Sequence, residues 1–247
     1  MEFGAYKAIH ERVFTENGLT DCLGAGDVSR ETEGFWRLTE HMLAVNETMN
    51  LTAVRDVESV VYLHYADSLK IVDAISSGAT VCDVGCGGGF PSLPLAIVRP
   101  DLRILAIDST EKKVRYVAET AKMLGIDDVL TAKSLRAEEF GQGEGRERFD
   151  VVTARAVSNL RMLSELCLPL ARVGGIFLSM KGANWEAELS DAANAIAVLG
   201  GEVESSKTFE LRNGEKAEQR CLLVIRKVRP TPEKYPRAWG KIKSKPL

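Results

Sequence analysis

Apolar and polar positions change rhythm near residue 80. Upstream they recur at helical spacing: Phe35, Leu38, Met42 and Val45 fall on one face, Ser29 stands where a cap belongs, and the pattern runs to about Glu47. Asn46 to Thr52 breaks it. Asp56 then caps a second helix carrying Val60, Leu63, Leu69 and Val72, which Gly78 ends. Residues 1–19 have mixed helical periodicity, and Leu23 to Asp27 reads as a loop. Downstream the rhythm is strand, helix, strand. Short apolar runs at 81–84, 103–107, 128–132, 149–154 and 176–180 predict five strands. Between them lie helices opening at Pro91, at Ser109 or Thr110, at Leu160 and at about Trp185. Residues 141–148 read as an exposed loop, and 202–211 with 220–227 as an antiparallel pair turned at Asn213-Gly214. Such alternation predicts an α/β fold, with a mostly parallel seven-stranded sheet covered by helices on both faces. It divides the chain into a helical extension (1–78), a core (79–229) and a tail (230–247).

Chemistry concentrates where the first strand ends. Asp83-Val84 is followed by four glycines within five residues (Gly85, Gly87, Gly88, Gly89) and then Phe90. Glycine lets a backbone turn sharply and approach a ligand closely. The next strand ends in Asp108, an acid placed to accept hydrogen bonds from ribose hydroxyls. Together they predict an adenosine-containing cofactor. A dinucleotide loop would want G-x-G-x-x-G, but Phe90 occupies the third glycine position, which disfavours a NAD-linked oxidoreductase.

Composition narrows the picture. With 247 residues and 45% apolar content, the chain suits one large α/β domain with a modest extension. No apolar run reaches the length of a membrane span, and the first residues lack a cationic start before an apolar core, so neither a membrane role nor a secretory signal is expected. Five scattered cysteines without a C-x-x-C pair, and three histidines, argue for reduced thiols in the cytoplasm and against a metal site. Net charge is −3, yet residues 226–247 hold eight basic residues against one acid. That is +7 on the tail and −10 on the remainder. A basic end with Tyr235, Pro236 and Trp239 embedded in it reads as a phosphate-seeking arm; a solubilising tail, or one packed on the body, is the competing reading.

The spacing Asp83-x-Gly85-x-Gly87-x-Gly89 resembles motif I of the S-adenosyl-L-methionine-dependent methyltransferases with a Rossmann-like class I methyltransferase fold. Further blocks follow in order: Asn50-Leu51-Thr52; His64-x-x-Asp67-Ser68-Leu69; Phe90-Pro91 with Pro94 to Ile97; Arg136-Ala137-Glu138; Ala154 to Val157; and the Pro232 to Leu247 ending. From about residue 35 onward the chain resembles the bacterial small-subunit rRNA guanine-N7 methyltransferases, also called the glucose-inhibited division protein B family. It departs from that pattern at Val45-Asn46, where the family usually has Trp-Asn, and at Ser92, where it usually has Gly.

The resemblance implies methylation of the guanine at conventional position 527, in the 530 loop of 16S rRNA, with that rRNA or a small-subunit assembly particle as partner. It leaves the oligomeric state open. It implies that Gly85, Gly87, Gly89, Phe90, Asp108, Ala137, Glu138 and Arg155 surround the cofactor. Arg155, at the tip of the fourth strand, would pair with the cofactor carboxylate or with RNA, or serve as a fold-stabilising ion pair. His64 and Asp67 suit a structural role or the orientation of RNA. Lys181 and Arg161 read as phosphate contacts or plain surface charges, and Arg237, Trp239, Lys241, Lys243 and Lys245 as RNA contacts on the tail. After the fourth strand, Thr153-Ala154-Arg155-Ala156 contains neither an Asn/Asp-Pro-Pro-aromatic block nor a Pro-Cys nucleophile. Guanine N7 needs neither, because it has a free lone pair and no proton to lose. A methyltransferase of a small molecule or protein, and a non-catalytic ribosome-assembly factor on the same fold, are the competing functions.

Overall fold

The computed structural model describes residues 2–23, 29–155 and 158–247. The expected loop at 23–27 lies outside the described residues from Gly24 onward, as do Ala156 and Val157 of the Ala154 to Val157 block.

Helices α1 (Phe3–Glu16) and α2 (Arg30–Met49) come first. Ser29 caps α2 as expected, its hydroxyl accepting from Thr32 N at 3.1 Å, and Asn50 ends it in the left-handed region with φ 51°. The next helical stretch is not uniform. It comprises α3 (Val57–Val60), a wider π-type turn over Val61–Ala66, and α4 (Asp67–Leu69). Such π-segments are a local re-spacing that apolar periodicity does not announce.

The strand–helix alternation follows: β1 (Thr80–Val84), α5 (Ser92–Val98), β2 (Arg103–Asp108), α6 (Glu111–Leu124) and β3 (Leu130–Ser134). After α7 (Ala137–Gln142) come β4 (Phe149–Arg155), α8 (Leu160–Cys167), β5 (Ala171–Lys181) and α9 (Trp185–Val198). The hairpin β6 (Gly201–Asn213) and β7 (Lys216–Lys227) and a last short helix, α10 (Trp239–Ser244), complete the order. One seven-stranded sheet runs β3-β2-β1-β4-β5-β7-β6, parallel except where β7 pairs antiparallel with β5 and β6.

Period-two alternation distributes the strands' side chains to two cores. Val81, Ile176, Leu178, Leu222 and Val224 join the core under α1, α2, α5 and α6. Cys82, Phe177, Leu223 and Ile225 join the opposite core under α8 and α9. Strands buried on both faces read as continuous apolar runs, which is why they were visible in the sequence.

Strand β5 opens at Ala171 rather than 176, running through Gly174 and Gly175, and other elements also differ from expectation. Strand β3 begins two residues late, because Val129 and Leu130 still donate to Ile126 O in a turn. Helix α7 was not foreseen, since six residues are too few to show a period. The 141–148 segment is not simply exposed: Gly141 packs on Pro236, and Arg146 donates to Tyr235 O (2.8 Å) and Thr231 O (2.5 Å). It is the seat on which the tail lies.

Candidate active site

Strand order reverses at β1, with β2 on one side and β4 on the other. In open α/β sheets the crevice beyond such a switch point is where ligands bind. A cleft of ≈ 540 Å³ lies there. Its floor is the glycine loop, fixed by Gly85 N and Cys86 N, which both donate to Ile107 O (2.8 and 3.0 Å). Gly85, Gly87 and Gly89 all have positive φ (73°, 53° and 90°). A Cβ at Gly89 would strike Leu93, whereas one at Gly87 meets nothing nearer than Gly85 O at 3.9 Å. The first glycine therefore allows helix packing, and the second keeps the cleft open.

Asp108 joins loop and strand. Its Oδ2 accepts from Gly87 N (3.1 Å) and its Oδ1 from Thr110 N (2.8 Å). A carboxylate has about four acceptor sites, so two backbone donors leave room for a diol. Further along, Ile107, Leu135, Ala137, Leu166 and Trp239 give the cleft apolar walls. Glu138 is buried there and accepts from Arg136 Nε at 2.5 Å, and the Arg136 guanidinium lies 5.9 Å from the Trp239 ring centre. An adenosine fits this set: acceptors for its ribose, flat apolar walls for its base, and bare backbone for what lies beyond.

Arg155 reaches the cleft from β4 but is committed within the chain. Nη1 donates to Asp67 Oδ2 (3.0 Å) and Leu63 O (2.9 Å), and Nη2 bonds His64 Nδ1 (3.0 Å). A guanidinium only donates, so Nδ1 must accept and the imidazole proton sits on Nε2. That proton is donated to Thr52 Oγ1 at 2.9 Å. Burial first, and the Arg155 charge second, pull the His64 pKa down to about 3, so the ring stays neutral. The ring stacks on Phe90 at 4.4 Å between centroids. Arg155, His64 and Asp67 thus form one strut between β4 and the helical stretch, the ion-pair arrangement foreseen as one option. Thr52 carried no role in the sequence reading. Its oxygen accepts from His64 and from Val54 N (3.1 Å), and the residue lines the cleft. Beneath the loop, Asp83 is buried and bonded to Ser92 Oγ, and burial raises its pKa to about 6.

The residues proposed for RNA separate into groups. Arg237 grips the fully buried Glu165, with Nε and Nη2 at 2.8 and 2.6 Å from its two oxygens. Arg161 donates to Leu247 O and Pro246 O (2.6 and 2.7 Å), and Lys181 to Glu188 Oε2 (2.8 Å). Trp239 lines the switch-point cleft. Only Lys241, Lys243 and Lys245 of the set point to solvent. The tail is therefore folded onto the body, with Tyr235 and Ile242 buried, rather than held out as an arm. Among the described residues no helix is long and apolar enough to cross a membrane, and no cluster of three or more His, Cys, Asp or Glu is disposed to hold a metal.

Sheet order, switch-point cleft and glycine loop define a Rossmann-like class I methyltransferase. Solved structures share the fold: the O-methyltransferase from Bacillus cereus in complex with SAH superposes with TM-score 0.55 at 17% identity, over 91% of this chain and 100% of that one. Pyrococcus horikoshii TYW2 in complex with MeSAdo gives 0.50 at 16% identity, over 65% of this chain and 61% of that one. Sequence goes further. The family model described as rRNA small subunit methyltransferase G matches residues 31–218. The protein of that name from Exiguobacterium sp. AT1b is 47% identical over 216 residues, covering 86% of this chain and 90% of that one. Its counterpart from Bacillus cereus B4264 is 44% identical over 215 residues, covering 86% and 89%. This chain belongs to the rRNA small subunit methyltransferase G family.

Proposed function

We propose that this protein moves a methyl group from S-adenosyl-L-methionine to N7 of a guanine in small-subunit rRNA, the residue at conventional position 527, in the cytoplasm. The observation that carries the cofactor assignment is the Gly87–Asp108 pairing beneath an open cleft. Asp108 holds the ribose hydroxyls, Leu135, Ala137 and Trp239 enclose the adenine, and Gly85 and Gly87 pass beneath the remainder. Bound there, the cofactor supplies an activated sulfonium methyl whose departure leaves a neutral thioether. What the protein adds is position, holding acceptor and methyl in line. N7 attacks with its lone pair, the N–C bond forms as the C–S bond breaks, and the positive charge passes to the purine ring. No proton moves.

The side chains agree with that economy. Among the described residues lining the cleft, His64 is neutral with both nitrogens engaged, and the Asp108 and Glu138 carboxylates are held by backbone or by Arg136. None stands free as a base. Residues 1–78 act as a helical buttress that fixes Arg155 through His64 and Asp67, and residues 230–247 close the adenine end.

Two measurements test the proposal. Replacing Asp108 by Ala should weaken S-adenosylhomocysteine binding by about 1–3 kcal/mol in calorimetry, the cost of removing a charged partner of buried hydroxyls. Small-subunit particles from cells lacking the protein should accept one methyl group, which mass mapping of the rRNA locates. Methylation elsewhere than guanine N7, or none, refutes the assignment.

A further inference from the structure

A second cavity of ≈ 500 Å³ adjoins the cofactor cleft, and His64 and Arg155 line both. One wall is the β6–β7 hairpin. Its register sets Phe209 opposite Arg220 and Leu211 opposite Glu218, so Phe209, Arg220 and Glu218 share one face. The helical stretch from Leu63 to Ile71 faces them, and Met180 and Lys181 at the end of β5 line the space between.

The cations there already have partners. Arg155 is on Asp67, Lys181 on Glu188, Arg220 on Glu218 Oε2 (2.7 Å), and Lys70 on Asn17 O (2.5 Å). Carboxylates balance three of these four cations, which leaves little net charge to hold a phosphate. A flat neutral ring with a polar edge suits the cavity better: Met180 and Phe209, whose ring centre lies 5.3 Å from Lys70 Nζ, offer it apolar surface, and the carboxylates offer acceptors.

We propose that this cavity receives the flipped target base, with Glu218 reading its Watson–Crick edge and Phe209 stacking on its face. The proposal rests on guanine N7 being the methyl acceptor. N7 must then face the cofactor cleft, so the O6/N7 edge that arginine commonly grips has to stay open. The base is left to be read along its Watson–Crick edge, as extruded bases are. On guanine that edge presents the N1 and N2 protons side by side, which a carboxylate accepts. Adenine presents a lone pair at N1 and repels it. Of the three carboxylates in the cavity, Glu218 is the most accessible, its side chain 46% exposed against 33% for Glu188 and 11% for Asp67. Arg220 holds it in place. The same carboxylate stabilises the positive ring that methylation creates.

Reconstituted small-subunit particles carrying guanosine or inosine at the methylated position test this, since inosine lacks the N2 amino group. The parent enzyme should lose about tenfold to a hundredfold in kcat/KM on inosine. Glu218→Gln should lose a similar factor or more on guanosine and a clearly smaller one on inosine, which keeps N1–H but not the N2 amino group, with melting temperature and cofactor affinity unchanged. Particle affinity measured without cofactor should follow the same pattern. Phe209→Leu, which keeps bulk without the π-face, should raise KM on both substrates alike. Equal losses for Glu218→Gln on both substrates, or none, overturn the edge-reading role, and an unchanged KM for Phe209→Leu overturns the stacking role. A parent enzyme that methylates neither particle sinks the guanine assignment itself, a different failure.

Discussion

Arg237 distinguishes a docked tail from an RNA-seeking one. Its guanidinium makes two bonds to Glu165, and its backbone N–H makes a third at 2.9 Å. Glu165 is fully buried on α8, while the Arg237 side chain is 21% exposed. Removing one partner of a buried ion pair costs about 3–5 kcal/mol, because the other charge stays behind uncompensated. In Arg237→Ala the backbone N–H still answers one oxygen, which places the loss near the lower end, about 3 kcal/mol. For a chain of this length that lowers the melting temperature by about 6–12 °C. Because Tyr235 and Trp239 flank the anchor, S-adenosylhomocysteine binding should weaken in parallel. Adding Glu165→Gln to the variant should recover part of the loss, since a carboxamide leaves no bare charge. Differential scanning calorimetry and cofactor titration on three preparations suffice. A melting temperature within about 2 °C of the parent, with rRNA methylation lost, would show that Arg237 serves RNA and that its pairing with Glu165 is dispensable.

Other outcomes follow from the same geometry. Trp239→Ala should raise the cofactor Kd severalfold without changing the melting temperature, and cofactor binding should quench indole fluorescence in the parent more than in the variant. Replacing Lys241, Lys243 and Lys245 together by Ala should leave cofactor affinity intact but flatten the salt dependence of rRNA binding, by roughly 0.7 to 0.9 per lost phosphate contact. Stability should fall on acidification from pH 6 to 5. His10 and His64 are held near a pKa of about 3 by burial, so below 6.5 the unfolded chain binds two protons that the native chain does not. Asp83, raised to about 6, takes up one in the native state and opposes them. The net is about one proton, or about 1.4 kcal/mol per pH unit, read from urea unfolding across that window.

The strands, the glycine loop and Asp108 were legible because their signals are local. A doubly buried strand is an apolar run, and a ligand-bearing turn spends glycines. The fate of the basic residues was not. Arg237 is neutralised by a residue 72 positions away, and Glu165 itself reads as an ordinary polar interruption in the apolar run of α8. Charge counted along a chain says nothing of such pairing. Lys227 makes the same point: it counts toward the basic end, yet its ammonium is fully buried on Leu168 O, Thr231 Oγ1 and Glu147. Thr52 and Trp239 were missed as residues lining the cleft for a related reason, since each reaches it from outside the strand–helix core.

Helix α10 carries Trp239 on the wall of the switch-point cleft and Lys241 and Lys243 on the solvent side, with exposed Lys245 at its C-cap. So short a helix moves as one piece. If the proposed site assignments hold, a phosphate backbone that drew the lysines outward would also shift a wall of the cleft, and a cofactor that seated the indole would also set the lysines. Linkage makes this symmetric: if RNA changes cofactor affinity by some factor, cofactor changes RNA affinity by the same factor. The two substrates would then be kept in step without a separate messenger. After transfer, loss of either product would loosen the grip on the other, and cofactor titrations with and without bound particle would measure how tightly the two departures are tied.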